Sequence, residues 1–269
     1  MLSANDTKQQ PCPRFDSKCC STFPLPPSNP NSLFLRPTSA NEIEYLIAAL
    51  PSGKSTGHDG ISATFLKHFR FQLSHVISEL INLMFVEGVF PTDLKIAKIV
   101  PIYNKGPKLF ATNFRPVSVL SSLSKIVERA LLQRLEDFFE KQHLLSLSQF
   151  GFRKGKSTVL ALSNVTEKIK QNIENNLLTM GIFVDLTKAF DLIDHNLLIL
   201  KLERYGIRGV ALQLVRSYLG ERKQFVSLGK VQSNQTSLLT GVPQGSILGP
   251  FLFLAYINDL PSYQTRVSV

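Results

Sequence analysis

A chain of 269 residues with 43% apolar and 19% charged side chains is apolar enough to bury a core and long enough for one large domain or two small ones. Lys and Arg outnumber Asp and Glu by 30 to 20, giving a formal charge of +10 and an isoelectric point near 9.6, a balance that draws polyanions such as nucleic acid or anionic membrane. The longest apolar run, Ile247 to Ile257, has 11 residues, too few for a membrane span of about 20 residues.

The polar opening MLSANDTKQQ does not read as a signal peptide. Residues 1–37 hold seven of the fifteen prolines and all three cysteines, with few aliphatic side chains, so residues 1–38 are expected to form a flexible lead-in. Cys12, Cys19 and Cys20 form neither a disulfide framework nor a zinc site, because no His lies nearby at ligand spacing; reduced thiols in an intracellular protein are expected. Order begins at Ser39, which with Glu42 forms a capping box ahead of Ile43, Leu46, Ile47 and Leu50 at helical spacing. Leu73, Val76, Ile77, Leu80 and Met84 mark a second helix, closed by Gly88 and Pro91. Ile96 to Ile102 is β-branched and reads as a strand. Ser121 or Ser122 caps a long helix carrying Leu123, Val127, Leu131, Leu135 and Phe138. Another helix starts near Ser157, with Leu162, Val165, Ile169 and Ile173 on one face. Met180 to Leu186 reads as a buried strand, followed by helices near Leu197–Tyr205 and Val210–Leu219. A strand pair follows at Phe225–Leu228 and Gln235–Thr240, then a helix from Ile247 to Ile257. The mix predicts an α+β fold, helix-rich with a small antiparallel sheet.

The tetrapeptide GKST occurs at Gly53–Thr56 and again at Gly155–Thr158. A phosphate-binding P-loop needs a glycine five residues before the second one, and those positions hold Ala48 and Phe150, so both copies read as basic turns. Asp185 stands at the end of the predicted strand in FVDLTKAFD, placed to aim a carboxylate into a cleft. Asp194 reads as the cap of the helix that follows, and Asp191 has the same structural reading. Between Gly241 and Pro250, GVPQGSILGP forces a turn around Gln244 whose backbone can approach a ligand closely.

Seven stretches in order carry a resemblance. They are KSTGHDGISATFLK (54–67), IAKIVPIYNKG (96–106), NFRPVSVLSSLSKIVERALLQRL (113–135), QFGFRKGKST (149–158), FVDLTKAFDLIDHNLLILKLERYGI (183–207), SYLGERKQFV (217–226) and GVPQGSILGPFLFLAYINDL (241–260). Together they resemble the reverse-transcriptase domain of jockey-like non-LTR retrotransposons and are more distantly similar to group II intron reverse transcriptases. The resemblance implies a right-hand polymerase, with fingers at about 39–178 and a partial palm at about 179–269. It implies an RNA template, a DNA primer and deoxynucleoside triphosphates as partners, and two Mg²⁺ ions acting on the attacking and leaving oxygens. Asp185 would be the first metal carboxylate, with the backbone carbonyl of Leu186 as a neighbouring ligand. Phe190 matches the aromatic under the incoming sugar, which disfavours a 2′-hydroxyl. Arg115, aided by Lys105, matches the triphosphate contact. Gln244 and Gly245 match the nucleotide and template pocket. Asp59 and Lys67 would serve the family's N-terminal extension, structurally or on the template.

The family's other two catalytic aspartates follow the Asn-Asp-Leu that stands here at 258–260, yet no Asp or Glu follows Asp259. The catalytic hairpin and thumb are therefore expected to be missing, leaving the central strand with an unpaired edge. One carboxylate cannot hold two divalent ions together, so the chain alone is expected not to polymerise DNA. The alternative is a non-catalytic remnant that binds RNA or an RNA–DNA hybrid. No membrane association is expected, and the cytoplasm and the nucleus remain equally compatible with the family.

Overall fold

The computed structural model describes residues 25–53, 55–110, 113–229 and 231–263. The three cysteines, Lys54 of the first GKST and the last six residues lie outside the described residues.

Eight α-helices and five strands are present among the described residues. Helices α1 (Ala40–Ala48), α2 (Ala63–His68) and α3 (Arg70–Glu87) lead to β1 (Ile96–Tyr103), β2 (Phe114–Val119), α4 (Ser122–Lys141) and α5 (Thr158–Glu174). Then come α6 (His195–Tyr205), α7 (Gly209–Leu219), β3 (Arg222–Leu228), β4 (Val231–Gln232), β5 (Thr236–Leu238) and α8 (Gly249–Ile257). None of the described helices is long and apolar enough to cross a membrane.

The predicted caps form. Ser39 accepts from the Glu42 N–H, Ser121 from Leu123, Ser157 from Leu160 and Asp194 from Leu197. The Glu42 carboxylate does not return to Ser39. It pairs instead with the buried guanidinium of Arg134 on α4, whose Nη2 donates to it at 2.9 Å. Helix α3 ends on Gly88 at φ +69°, as its sequence predicts. Its buried face differs by one step: Ile77, Ile81, Met84 and Phe85 turn inward, while Val76 and Leu80 are exposed. Both sets have helical spacing, so packing against α1 and α7 chooses between them.

The sheet is mixed rather than purely antiparallel. Strand β1 pairs antiparallel with β2 but parallel with β3, and β4 and β5 pair antiparallel with β3. A parallel pair needs a long crossover, which β2 and helices α4 to α7 provide between β1 and β3. The main core lies among α1, α3, α4, α6, α7 and α8, around fully buried Ile47, Ile81, Leu131, Leu202, Leu214 and Leu252. Each such side chain contributes roughly 1.5–3 kcal/mol of burial.

Two further expectations are corrected. Residues 25–38 carry no helix or strand, yet they lie along α6, α7 and α3. The Asn29 N–H donates to Arg204 O at 2.8 Å and the Leu33 N–H to Gly206 O at 2.9 Å. Arg208 Nη2 donates to Asn29 O at 2.6 Å, and Thr38 Oγ1 to Ser78 O at 3.2 Å. The segment is held by other elements satisfying its backbone, a source of order that its own low hydrophobicity does not reveal. The second correction concerns Met180 to Leu186. The run is extended but is no strand, and Phe183 is 96% exposed and Val184 78%. A strand needs a ladder partner, and the described residues pair none with it.

Candidate functional site

The turn between β5 and α8 is pinned at both ends. Gly241, at φ +80°, donates its N–H to Ile193 O at 2.8 Å, and the Val242 N–H donates to Phe190 O at 2.9 Å. Thr240 Oγ1 donates to Asp191 O at 3.1 Å. His195 Nε2 lies 2.7 Å from Gly241 O, and since a carbonyl only accepts, that nitrogen carries the proton. Gly241 therefore lies flat on Asp191: a Cβ built on it would sit 2.6 Å from Asp191 O. Two residues on from Val242, Gln244 Nε2 donates to Asp191 Oδ1 at 3.0 Å, while Gln244 O accepts the Ser118 N–H of β2 at 2.9 Å. Gly245, at φ +117°, crosses so close to β2 that a Cβ would meet Ser118 O at 2.6 Å. Gln244 thus joins β2 to the FVDLTKAFD segment.

That segment enters the site through a turn with Lys188 at φ +55°, closed by the Asp191 N–H donating to Lys188 O at 2.9 Å. Phe190 is half-buried there. Its ring centroid lies 4.9 Å from that of Phe253 on α8 and 5.8 Å from that of Phe152 in the QFGFRKGKST loop. The structure so brings together Phe190, Gln244 and Gly245, with Asp191 as a fourth member that the sequence reads only as a capping residue.

Other predicted residues stand further out. Arg115 is exposed on β2, in register with Ile102 of β1. At about 3.3 Å per residue its Cα is roughly 10 Å along the strand from Ser118. Lys105 is exposed in the loop beyond β1. Asp185 and Leu186 lie in the exposed stretch before the turn, and no hydrogen bond or ion pair holds the Asp185 carboxylate among the described residues. Asp59 has a local structural task. It accepts the Ser121 hydroxyl at 2.5 Å and the Ile61 N–H at 3.2 Å, tying the KSTGHDGIS stretch to the start of α4. Lys67 Nζ donates to Ser52 Oγ at 3.0 Å.

A family model described as reverse transcriptase (RNA-dependent DNA polymerase) matches residues 102–267, well over half of the chain. The chain belongs to this family. Among its relatives, a probable RNA-directed DNA polymerase from transposon BS of Drosophila melanogaster is 34% identical over 237 residues. The RNA-directed DNA polymerase from mobile element jockey of the same species is 33% identical over 233 residues. Each match covers 86% of this chain and 25% of the relative, so the chain spans about a quarter of their length. A Pol polyprotein from the type-1 retrotransposable element R2 of Popillia japonica is 25% identical, over 84% of this chain and 30% of its own length. The jockey-like, non-LTR character expected from the seven motifs holds.

Among the described residues no group of three or more His, Cys, Asp or Glu is gathered that could hold a metal ion. Asp185 stands apart in an exposed segment and the Asp191 carboxylate is engaged by Gln244. A pair of ions needs several shared oxygen donors, so these residues do not by themselves fit a two-ion site.

Beneath the Gln244 turn lies a buried polar group that the sequence hides. Glu128 of α4 is fully buried. Its Oε2 accepts the N–H groups of Ile247 at 2.7 Å and Leu248 at 3.1 Å, and its Oε1 accepts the Ser124 hydroxyl at 3.0 Å. Burial pushes the Glu128 carboxyl above the ordinary carboxylate range, while the nearby charge of Arg222 and these hydrogen bonds pull it back. Arg222 is itself buried; Nη1 donates to Tyr218 O at 3.0 Å, and Nε and Nη2 have no hydrogen-bond partner among the described residues. In an amphipathic helix such as α4, a glutamate reads as a solvated charge, which is why sequence reasoning passes over it.

Proposed function

We propose that this chain is the nucleotide- and template-holding part of an RNA-directed DNA polymerase of a non-LTR retrotransposon. In this reading the β1–β2 hairpin and α4 belong to the fingers, and the FVDLTKAFD and Gln244 turns to the palm. The observation that carries it is the junction of Gln244 with Asp191 and the Ser118 backbone, beside the half-buried ring of Phe190. A planar ring packed against Phe253 and edge-on to Phe152 is suited to rejecting an extra 2′-hydroxyl on an incoming sugar. Gly245 leaves the turn's backbone open to close approach. Arg115 supplies a permanent charge for phosphate oxygens. Asp185 would offer one carboxylate toward a divalent cation, Mg²⁺ being the hard ion such oxygens suit.

The alternative reading is a module that binds RNA or an RNA–DNA hybrid without chemistry. The lack of a gathered ligand set among the described residues favours it for the chain on its own. Primer extension on an RNA template, with deoxynucleoside triphosphates and Mg²⁺ or Mn²⁺, separates the two. The expected outcome is binding of the hybrid without synthesis, with Asp185→Ala leaving affinity unchanged or slightly improved. Template-dependent synthesis that Asp185→Ala abolishes would show instead that the 269-residue chain is a polymerase by itself.

A further inference from the structure

The Gln244 turn has two legs, and they are anchored differently. The leading leg, Thr240 to Val242, is tied to the Phe190–Ile193 backbone. The trailing leg, Ser246 to Gly249, becomes the first turn of α8, where helix geometry leaves N–H groups without intrahelical partners. Its cap position is Leu248, whose side chain cannot accept a hydrogen bond, and no side chain of α8 caps it. Ser246 Oγ meets part of the demand, accepting the Gly249 N–H at 3.0 Å and donating to Pro243 O at 2.9 Å. Two further donors, on Ile247 and Leu248, are both taken by one oxygen of Glu128, which comes from a different helix 119 residues earlier. The other oxygen is fixed by Ser124 one helical turn back, so the carboxylate has little rotational freedom. Helix α4 is in turn placed at its start by the contact between Asp59 and Ser121.

We propose that Glu128 is a positioning residue for Gln244: it clamps the trailing leg of the turn to α4, so that the Gln244 amide is held at the nucleotide and template pocket. The proposal rests on the reading of Gln244 given under Proposed function. An ordinary buried cap would stabilise the fold and leave hybrid binding by a folded chain unchanged. A positioning residue acts on binding through Gln244, and its effect vanishes once the Gln244 side chain is gone.

The experiment is a double-mutant cycle on the full chain. Affinity for a fluorescein-labelled RNA–DNA hybrid with a 5′ RNA overhang is read by anisotropy for wild type, Glu128→Gln, Gln244→Ala and the double variant. Glu128→Gln keeps the shape and one acceptor oxygen but places an amide N–H₂ among donors. Each single variant is expected to weaken binding by roughly fivefold or more, with the double variant no weaker than the worse single one. Hydrogen exchange should quicken at residues 244–248 in Glu128→Gln and stay slow in α1 and α3. Wild-type affinity in Glu128→Gln while Gln244→Ala is impaired would overturn the proposal, as would fully additive losses. Failure of Glu128→Gln to fold moves the same cycle to Glu128→Asp, which retains the charge. Absence of hybrid binding by the wild-type chain would instead sink the reading of Gln244 itself, and the proposal with it.

Discussion

Gly241 and Gly245 are the residues at which the site tolerates least change. Both hold positive φ, and both press on backbone that cannot yield, Asp191 in one case and Ser118 in the other. An L side chain at such φ costs about 1–2 kcal/mol, and forcing a methyl into occupied space adds about 1–3 kcal/mol. Gly241→Ala and Gly245→Ala are each expected to lower stability by about 2–5 kcal/mol in urea unfolding followed by circular dichroism. Gly209→Ala is the control, because φ there is +57° and no atom lies within 4 Å of the added methyl; strain alone, about 1 kcal/mol, is expected. Equal losses at all three positions would mean that the close approaches do not matter. The alternation of Gly and Pro around Gln244 made a tight turn legible in the sequence. What the turn touches was not legible, since Asp191 lies about fifty residues away and its carboxylate reads equally well as a helix cap. Glu128 was hidden for a related reason: one buried acid in an amphipathic helix has no local signature, and its partners lie beyond the reach of any periodicity.

Helices α4 and α5 show the same limit one scale up. Their sequences carry equally clear apolar stripes, and both helices form where their serine caps predict. Packing then separates them. In α4, Leu131 and Leu135 are fully buried, whereas no residue of α5 is buried and Leu162 is 68% exposed. Hydrophobic periodicity reports which face would be covered, not whether anything covers it. The apolar run from Met180 to Leu186 reads as a strand for the same reason and stays unpaired among the described residues. Leu131→Ala should therefore cost about 2–5 kcal/mol, the range for opening a cavity in a core. Leu162→Ala should change stability by no more than about 0.5 kcal/mol, as an exposed site does. Thermal and urea unfolding of the two variants side by side test this, and a large loss at Leu162 would reveal a packing partner for α5.

At the scale of the whole molecule the charge of +10 must have a place to act. The free end of the β1–β2 hairpin concentrates it: Lys105, Lys108 and Arg115 are all exposed there, beside the Tyr103 and Phe114 rings. Binding to a polyanion releases condensed counterions, so affinity falls with salt at about −0.9 in log–log slope for each phosphate neutralised. If these three cations each reach one phosphate, they account for a slope of about −2.7 on a duplex. Arg115→Ala is then expected to weaken hybrid binding and flatten the slope by about one unit. Gln244→Ala removes no charge, so it should lower affinity at every salt concentration and leave the slope where it was. The pair of measurements separates two contributions that a single dissociation constant merges, the pull of the hairpin on the backbone and the fit of the pocket to a base and sugar. A slope unaffected by Arg115→Ala would move the hybrid's phosphate track off β2 and leave the exposed lysines of the hairpin loop to carry it.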